Sequence, residues 1–344
     1  MSEQAYYSTN AWRPTDDGGG IKRPRPQLDT RSRSFRMQWE AGRKLSKSYV
    51  SDLVPGDFLK NWRPRLGDES TIYIEKGQLN DEVASYSEGE ENKKVPMAWM
   101  NHESFRWTTL PKFAWRWLLV KAIAKFLLIA GTPILLLSLL HFYVFLNEYF
   151  EGIFKDAFIP TVLYGGGACL LLWGGISLCE RLFPDFMYQS PKGPTWEFNR
   201  RTGMVTAFCN PEKRGQAGKL LWQSPFEEFD CYIHMGPTTQ GLPLYYPVLV
   251  HRFREEALHL TDLQPASSDS RGHKALWNFW CQYMDSTAPL PDMPLLEPYR
   301  AKDPVTAEHD KQMGRDPRYW YNMSEAAYEV KIKQMYERCR SAFG

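Results

Sequence analysis

Two apolar runs lie near the middle of the chain, FLLIAGTPILLLSLLHFYVFL from Phe126 and AFIPTVLYGGGACLLLWGGISL from Ala157, joined by the ten-residue polar break NEYFEGIFKD. A bilayer core takes about 20 helical residues to cross, so each run is long enough to span one. Lipid offers no partner to unpaired backbone groups, which makes a helical hairpin the natural form. The competing reading is a buried hairpin in a large soluble core. Two such runs without an internal charge are rare there.

The flanks give an orientation. Arg106, Lys112, Arg116, Lys121 and Lys125 precede the first run, and Arg181, Lys192, Arg200 and Arg201 come after the second. The break between them holds Lys155 against Glu148, Glu151 and Asp156. Positive residues stay on the cytoplasmic side, so both termini are expected there, with the break outside. The first hundred residues lack an apolar stretch of signal-peptide type, so no cleavable signal is expected. Six cysteines (Cys169, Cys179, Cys209, Cys231, Cys281 and Cys339) are scattered without a C-x-x-C, which suits reduced thiols.

In chain order, residues 1–35 read as a disordered basic arm. Through Lys47 there are ten Lys or Arg against five acids, with Asp16 to Gly20, Pro24 and Pro26 breaking any regular element. Such an arm can meet nucleic acid or anionic lipid, but a solvated tail is the plainer reading. Residues 36–110 read as a small β-containing region, with a strand at Ser70 to Glu75, a turn at Gly77 and a charged loop at Glu88 to Lys94. Residues 111–183 comprise an interfacial stretch marked by Trp115 and Trp117, then spans at about 126–146 and 157–178. Pro133 is expected to kink the first span. His141 is the only ionisable group near the membrane interior, and it lies five residues before the end of the run, within reach of the far interface. Small residues seven apart (Gly167 and Gly174, Ala168 and Gly175, Gly131 and Ser138) suit close packing of the two helices.

Residues 184–285 read as a cytosolic β-rich domain. Thr195 to Asn199 and Met204 to Phe208 form a hairpin with Gly203 at the position that needs positive φ. Further strands are expected at 228–235, 244–251 and 257–263, then a helix at about Ser270 to Asp285 with Leu276, Trp280 and Tyr283 on one face. Residues 286–344 read as a proline-rich connector and a terminal amphipathic helix. That helix starts near Asn322, with Glu325 at capping-box spacing and Tyr328, Ile332, Met335 and Cys339 on its apolar face.

Chemistry is hard to find. There is no P-loop, no G-x-G-x-x-G after a strand, no H-E-x-x-H and no G-x-S-x-G. His234, His251, His259 and His273 share the β-rich domain without acids or thiols at ligand spacing. Glu227, Glu228 and Asp230 read as a solvated face. No stripe of basic residues suggests nucleic acid. No catalytic, cofactor-binding or metal residue is therefore expected.

The order of two spans, then Trp196-Glu197-Phe198-Asn199-Arg200-Arg201-Thr202-Gly203, then strands and a Trp-rich helix resembles a family of uncharacterised two-span bacterial membrane proteins, some encoded near type VI secretion genes. The resemblance covers roughly residues 100–285 and implies an inner-membrane immunity or accessory protein for a secreted toxin. The strand hairpin and closing helix also look like a pleckstrin-homology-like fold. The expectation is an α+β membrane protein: a two-helix transmembrane hairpin plus a cytosolic β-rich domain, pleckstrin-homology-like or a sandwich, closed by a helix. Its expected role is non-enzymatic, with membrane lipid and a protein partner, without a cofactor. The alternative is a membrane-active toxin or pore built from oligomers of the hairpin. A third possibility is an enzyme acting at the inner leaflet through His234, His251 and His259.

Overall fold

The computed structural model describes residues 6–14, 42–55, 98–108, 112–145, 150–183, 193–213, 215–237, 241–261 and 263–343. The expected strand at Ser70 to Glu75, the turn at Gly77 and the charged loop at Glu88 to Lys94 lie outside them. The chain forms two compact units: Leu110–Pro191, and a second built from Met1–Thr109 together with Lys192–Gly344.

The first unit is a pair of helices. Helix α1 (Lys112–Phe145) is continuous over 34 residues and runs through Pro133. The Trp- and Lys-bearing stretch before the first run is thus part of the same helix. The second helix begins with α2 (Phe150–Ile153), passes through π-helical turns at Phe154–Phe158 and Thr161–Gly166, and ends as α3 (Gly167–Leu182). The polar break is therefore helical from Phe150 onward, rather than a loop. Within the candidate spans Arg116–His141 and Phe154–Leu182, only 6% of each most apolar window is buried. A core helix of a soluble protein would be mostly buried, and leaving this much apolar surface in water would be costly. The two helices thus have the length, composition and exposure of membrane spans.

Among the described residues of this pair, Ala124 and Ile176 are buried. An ion pair between Lys121 and Glu180 joins α1 to α3 at the same end. The glycines are not where the helices meet. A Cβ added at Gly131, Gly165, Gly166, Gly167, Gly174 or Gly175 would find nothing within 4 Å. The expected use of the small-residue faces to close the hairpin is corrected by this spacing.

The other unit is α+β, with two antiparallel sheets. One has the order β2 (Ala98–Met100), β3 (Ser104–Trp107), β4 (Trp196–Asn199), β5 (Met204–Phe208), β6 (Leu220–Pro225). The other has the order β1 (Arg43–Lys44), β7 (Phe229–Pro237), β8 (Pro243–His251), β9 (Ala257–His259). Strands β3 and β4 are neighbours, with Phe105 opposite Phe198 and Trp107 opposite Trp196. They flank the helical unit in sequence, so the whole of Leu110–Pro191 occupies the place of a strand-to-strand connection. The β4–β5 turn is as expected: Gly203 has φ +70° and lies so close to Asn10 that a Cβ would meet its carbonyl oxygen at 2.1 Å.

Helix α4 (Arg271–Met284) supplies the centre of the core, being buried on nearly every side from Ala275 to Met284. Trp280 lies 4.6 Å from Phe105 and 5.0 Å from Phe198, ring centre to ring centre, and Trp277 lies 5.6 Å from Phe226. Edge and tilted ring contacts of this kind add to the gain from burying large side chains. The aromatic stripe is core, as its helical spacing suggests.

Two expectations need correction here. Residues 6–14 do not belong to a disordered arm. Tyr7, Ala11 and Trp12 are buried, Ser8 N–H donates to the Arg201 carbonyl at 3.0 Å, and Trp12 joins the main core. The remainder of that arm lies outside the described residues up to Ala41. Nor is the segment after 286 a connector with little regular structure. It forms a 3-10 helix (Pro294–Lys302) and α5 (Pro304–Met313), capped by Asp303, whose side chain accepts from Thr306 N–H, and closed by Gly314 in the left-handed region. Prolines at the first turn of each helix start them rather than break them.

The last helix, α6 (Glu325–Phe343), has Tyr328 and Met335 buried and Ile332 and Cys339 against the same core, which matches the expected face. Its start differs from the expectation. Ser324 Oγ accepts from Ala327 N–H at 3.3 Å, whereas the Asn322 side chain turns to Asp316. Serine at this position does the capping that the spacing assigned to Asn322.

Candidate functional site

Polar side chains gather at two places in the β-rich unit, and an exposed apolar sheet end makes a third place of interest. The most buried is built around Arg200, which sits on the turn between β4 and β5 with none of its surface exposed. Its guanidinium donates to the Tyr283 and Ala288 carbonyls, both at 2.6 Å, and faces Asp303 at 3.5 Å. Asp303 also accepts from the Tyr7 hydroxyl, from Thr306 Oγ1 at 2.5 Å and from Thr306 N–H at 3.1 Å. Burial, opposed by Arg200 and reinforced by Asp303, raises the Tyr7 phenol, which therefore keeps its proton as a donor. Five segments meet here: the N-terminal segment, the β4–β5 turn, the end of α4, the residues after it and the start of α5. Asp303 is engaged by Tyr7, Thr306 and Arg200 within the chain, so the constellation ties these segments together. In the sequence Arg200 stands out as part of a motif and as a basic residue after the second span, neither of which signals its burial. The one signal for Asp303 is its place before Pro304, where a helix cap belongs.

The second cluster joins the two sheets. His251 is fully buried at the end of β8. Its Nδ1 accepts from the backbone N–H of Phe253 at 3.0 Å and of Arg254 at 2.9 Å. That assigns the proton to Nε2, which donates to Glu228 at 2.8 Å. Burial lowers the imidazole from its ordinary value, with Glu228 opposing. Ser224 on β6 donates to Glu256 at 2.6 Å and accepts from Arg254 at 3.2 Å. Serine, histidine and glutamate are thus neighbours, but they form two separate pairs. A nucleophile–base arrangement requires the serine hydroxyl to meet the histidine ring nitrogen, and here each is directed at its own carboxylate.

Next to it, Asp230 is buried and takes Arg252 at 2.6 and 2.7 Å and Lys44 at 2.7 Å. Burial pushes its carboxyl up, and the two cations outweigh it, so the net shift is downward. The expectation of a solvated acidic face at Glu227, Glu228 and Asp230 is corrected: Asp230 is a buried ion pair and Glu228 orients His251. Nothing in the sequence singles out Lys47. Its Nζ donates to the Phe226 and Glu227 carbonyls, both at 2.8 Å, and lies 4.9 Å from the centre of the Phe226 ring. Burial, helped by Arg252 and opposed by Asp230, pushes the ammonium down to about 7.

The other predicted histidines are dispersed. His234 and His259 flank Tyr246 on one sheet, with ring centres 4.8 and 6.4 Å from it. His273 is buried in the first turn of α4 and lowered by that burial. His141 stands exposed on α1. Among the described residues no group of three or more His, Cys, Asp or Glu is placed to hold a metal ion.

The third place is the end of the five-stranded sheet where the chain leaves for the helices and comes back. Trp107, Trp196, Ala207 and Trp222 form one register row across β3 to β6. Beyond that row the register shifts at Ala207 and Phe208, and Leu220 and Leu221 on β6 are 57% and 61% exposed. No family model, no curated protein and no solved structure matches this chain.

Proposed function

We propose that the chain is a non-enzymatic membrane protein: the two apolar helices insert as a hairpin, and the β-rich unit binds a protein partner at the membrane surface. The observation that carries this reading is the pairing of β3 with β4 on either side of the helical unit. Strands that hydrogen-bond to one another share a compartment, so a hairpin between them crosses the bilayer an even number of times. The basic flanks and the acidic break support a cytoplasmic placement of the β-rich unit and both termini. Two antiparallel sheets and a packed helix after them support a pleckstrin-homology-like architecture. The separate engagement of Ser224 and His251 supports binding rather than catalysis. The resemblance adds a bacterial inner membrane and a class of partner, a type VI secreted toxin against which this protein acts as immunity or accessory protein.

The test is capture by the full-length protein in its own membrane, with crosslinking and then mass spectrometry. A partner crosslinked to the β-rich unit, together with protection of cells from a toxin encoded beside the gene, is the expected result. A protein that crosslinks to nothing and protects against no neighbouring toxin contradicts it.

The glycine faces favour a second reading. Open space beside Gly131, Gly165 to Gly167, Gly174 and Gly175 leaves room for another helix to approach closely. Oligomers of the hairpin would then form a pore. Expression without any neighbouring gene decides between them: loss of membrane potential favours the pore, and normal growth excludes it.

A further inference from the structure

The end of the sheet from which the chain leaves for the spans carries an exposed apolar pair that the protein-binding reading does not use. Strand β6 is the last in its sheet, and Leu220 pairs with Phe208 across a register shift that leaves Leu221 as the extra residue. A bulge of this kind re-aims side chains that would otherwise alternate. Here it leaves two successive leucines exposed. Edge strands in water are ordinarily protected by charge, so an exposed Leu-Leu at an edge marks a surface that is covered in use.

The connectivity indicates what covers it. Leu220 and Leu221 lie just past the row formed by Trp107, Trp196, Ala207 and Trp222, on the side where β3 ends and β4 begins. From Trp107 to Lys112, where α1 starts, is five peptide steps, a reach of at most about 18 Å. The first candidate span opens at Arg116. The loop between β5 and β6 borders the returning chain as well: a Cβ on Gly193 would lie 3.4 Å from Gly218 N. That loop reads CNPEKRGQAGK, with Lys213, Arg214 and Lys219 against Glu212 alone, and Lys213 and Lys219 are exposed. Basic residues beside exposed leucines, on a short tether to a span, are the chemistry of an interfacial contact with anionic lipid.

We propose that the described parts of the β5–β6 loop and the start of β6, residues 209–213 and 215–221, dock on the headgroups of an anionic bilayer. Leu220 and Leu221 reach the acyl boundary, and Lys213 and Lys219 meet phosphates. The contact would fix the orientation of the β-rich unit on the membrane. It rests on the hairpin being inserted.

Hydrogen exchange of the full-length protein in lipid nanodiscs tests it, comparing discs of phosphatidylcholine alone with discs containing phosphatidylglycerol. Recovery of the protein with discs of both kinds reports insertion, independently of the loop. The expected result is slower exchange across 209–221 in the anionic discs. Each basic residue replaced by Glu, as in Lys213→Glu and Lys219→Glu, lowers the docking equilibrium constant at least about fivefold, and Leu220→Ser with Leu221→Ser removes the protection in both discs. Equal exchange in the two discs, with the protein fully inserted, overturns the proposal. Protection that arises only on adding a protein partner overturns it too.

Discussion

Trp107 and Trp196 stack across adjacent antiparallel strands, with ring centres 6.4 Å apart and planes 20° from parallel. The entire helical unit lies between them in sequence. The segments before and after the hairpin are therefore parts of one fold. The N-terminal segment strengthens the tie, since Tyr7 and Trp12 are buried with residues from the far side of the hairpin.

Loss of Asp303 is expected to be severe. Asp303→Ala leaves the Arg200 guanidinium, still bonded to the Tyr283 and Ala288 carbonyls, without its counter-charge, and the Tyr7 hydroxyl without its acceptor, in a buried site. Removing one partner of a buried ion pair costs about 3–5 kcal/mol. Urea unfolding of the full-length protein in detergent, monitored by tryptophan emission, measures it. Adding Arg200→Met to Asp303→Ala costs less than the sum of the two single changes, because the uncompensated charge is gone.

Gly203→Ala strains the chain twice. The residue has φ +70°, and a Cβ would meet Asn10 O at 2.1 Å and Ala11 Cα at 2.8 Å. The expected cost is about 1–3 kcal/mol, with the N-terminal segment displaced from the β4–β5 turn. Chymotrypsin cleavage after Trp12, which is buried in the native chain, reads the displacement and becomes faster in the variant. An unchanged cleavage rate would mean that this close approach does not hold the segment.

Acid weakens the β-rich unit through its buried bases. His251 and His273 are both lowered by burial. The unfolded chain therefore takes up protons near the ordinary value of about 6.5 before the native one does. Stability falls as pH drops through that value, since the unfolded state binds more protons. Lys47 acts in the same direction at higher pH. With its native value at about 7 against 10.5 for an ordinary lysine, stability rises as pH increases from about 7 toward 10. Unfolding midpoints at pH 5.5 to 9.5 check both. His251→Asn flattens the lower part of the profile and Lys47→Met the upper part.

The fold was legible where a residue answers to its neighbours in sequence. The apolar runs, the alternation at Trp196 to Asn199, Gly203 and the stripe Leu276, Trp280 and Tyr283 all carry local signals. Features that depend on distant partners were harder to see. Tyr7 and Trp12 sit in a polar segment whose burial is decided by Asp303 and Phe226. The prolines after 286 read as breakers until Asp303 and Pro304 are seen to open a helix. At the polar clusters, sequence proximity misled: Glu228 and Asp230 are two apart but serve His251 on one side and Arg252 with Lys44 on the other. Lys47 had no signal, because its partners are backbone carbonyls at Phe226 and Glu227.

The most direct test joins β3 to β4 without the hairpin. Residues 109–193 are replaced by a short Asn-Gly-containing loop, so that Thr108 leads back to Pro194 and Thr195. If the helical unit is an insertion between paired strands, this variant stays in the supernatant after membranes are pelleted and unfolds in one cooperative transition with its Trp107–Trp196 contact intact, while the full chain pellets. A variant that fails to fold, or that still pellets with the membrane after a high-salt wash and with Leu220 and Leu221 replaced by Ser, contradicts a hairpin set into one continuous β-rich fold.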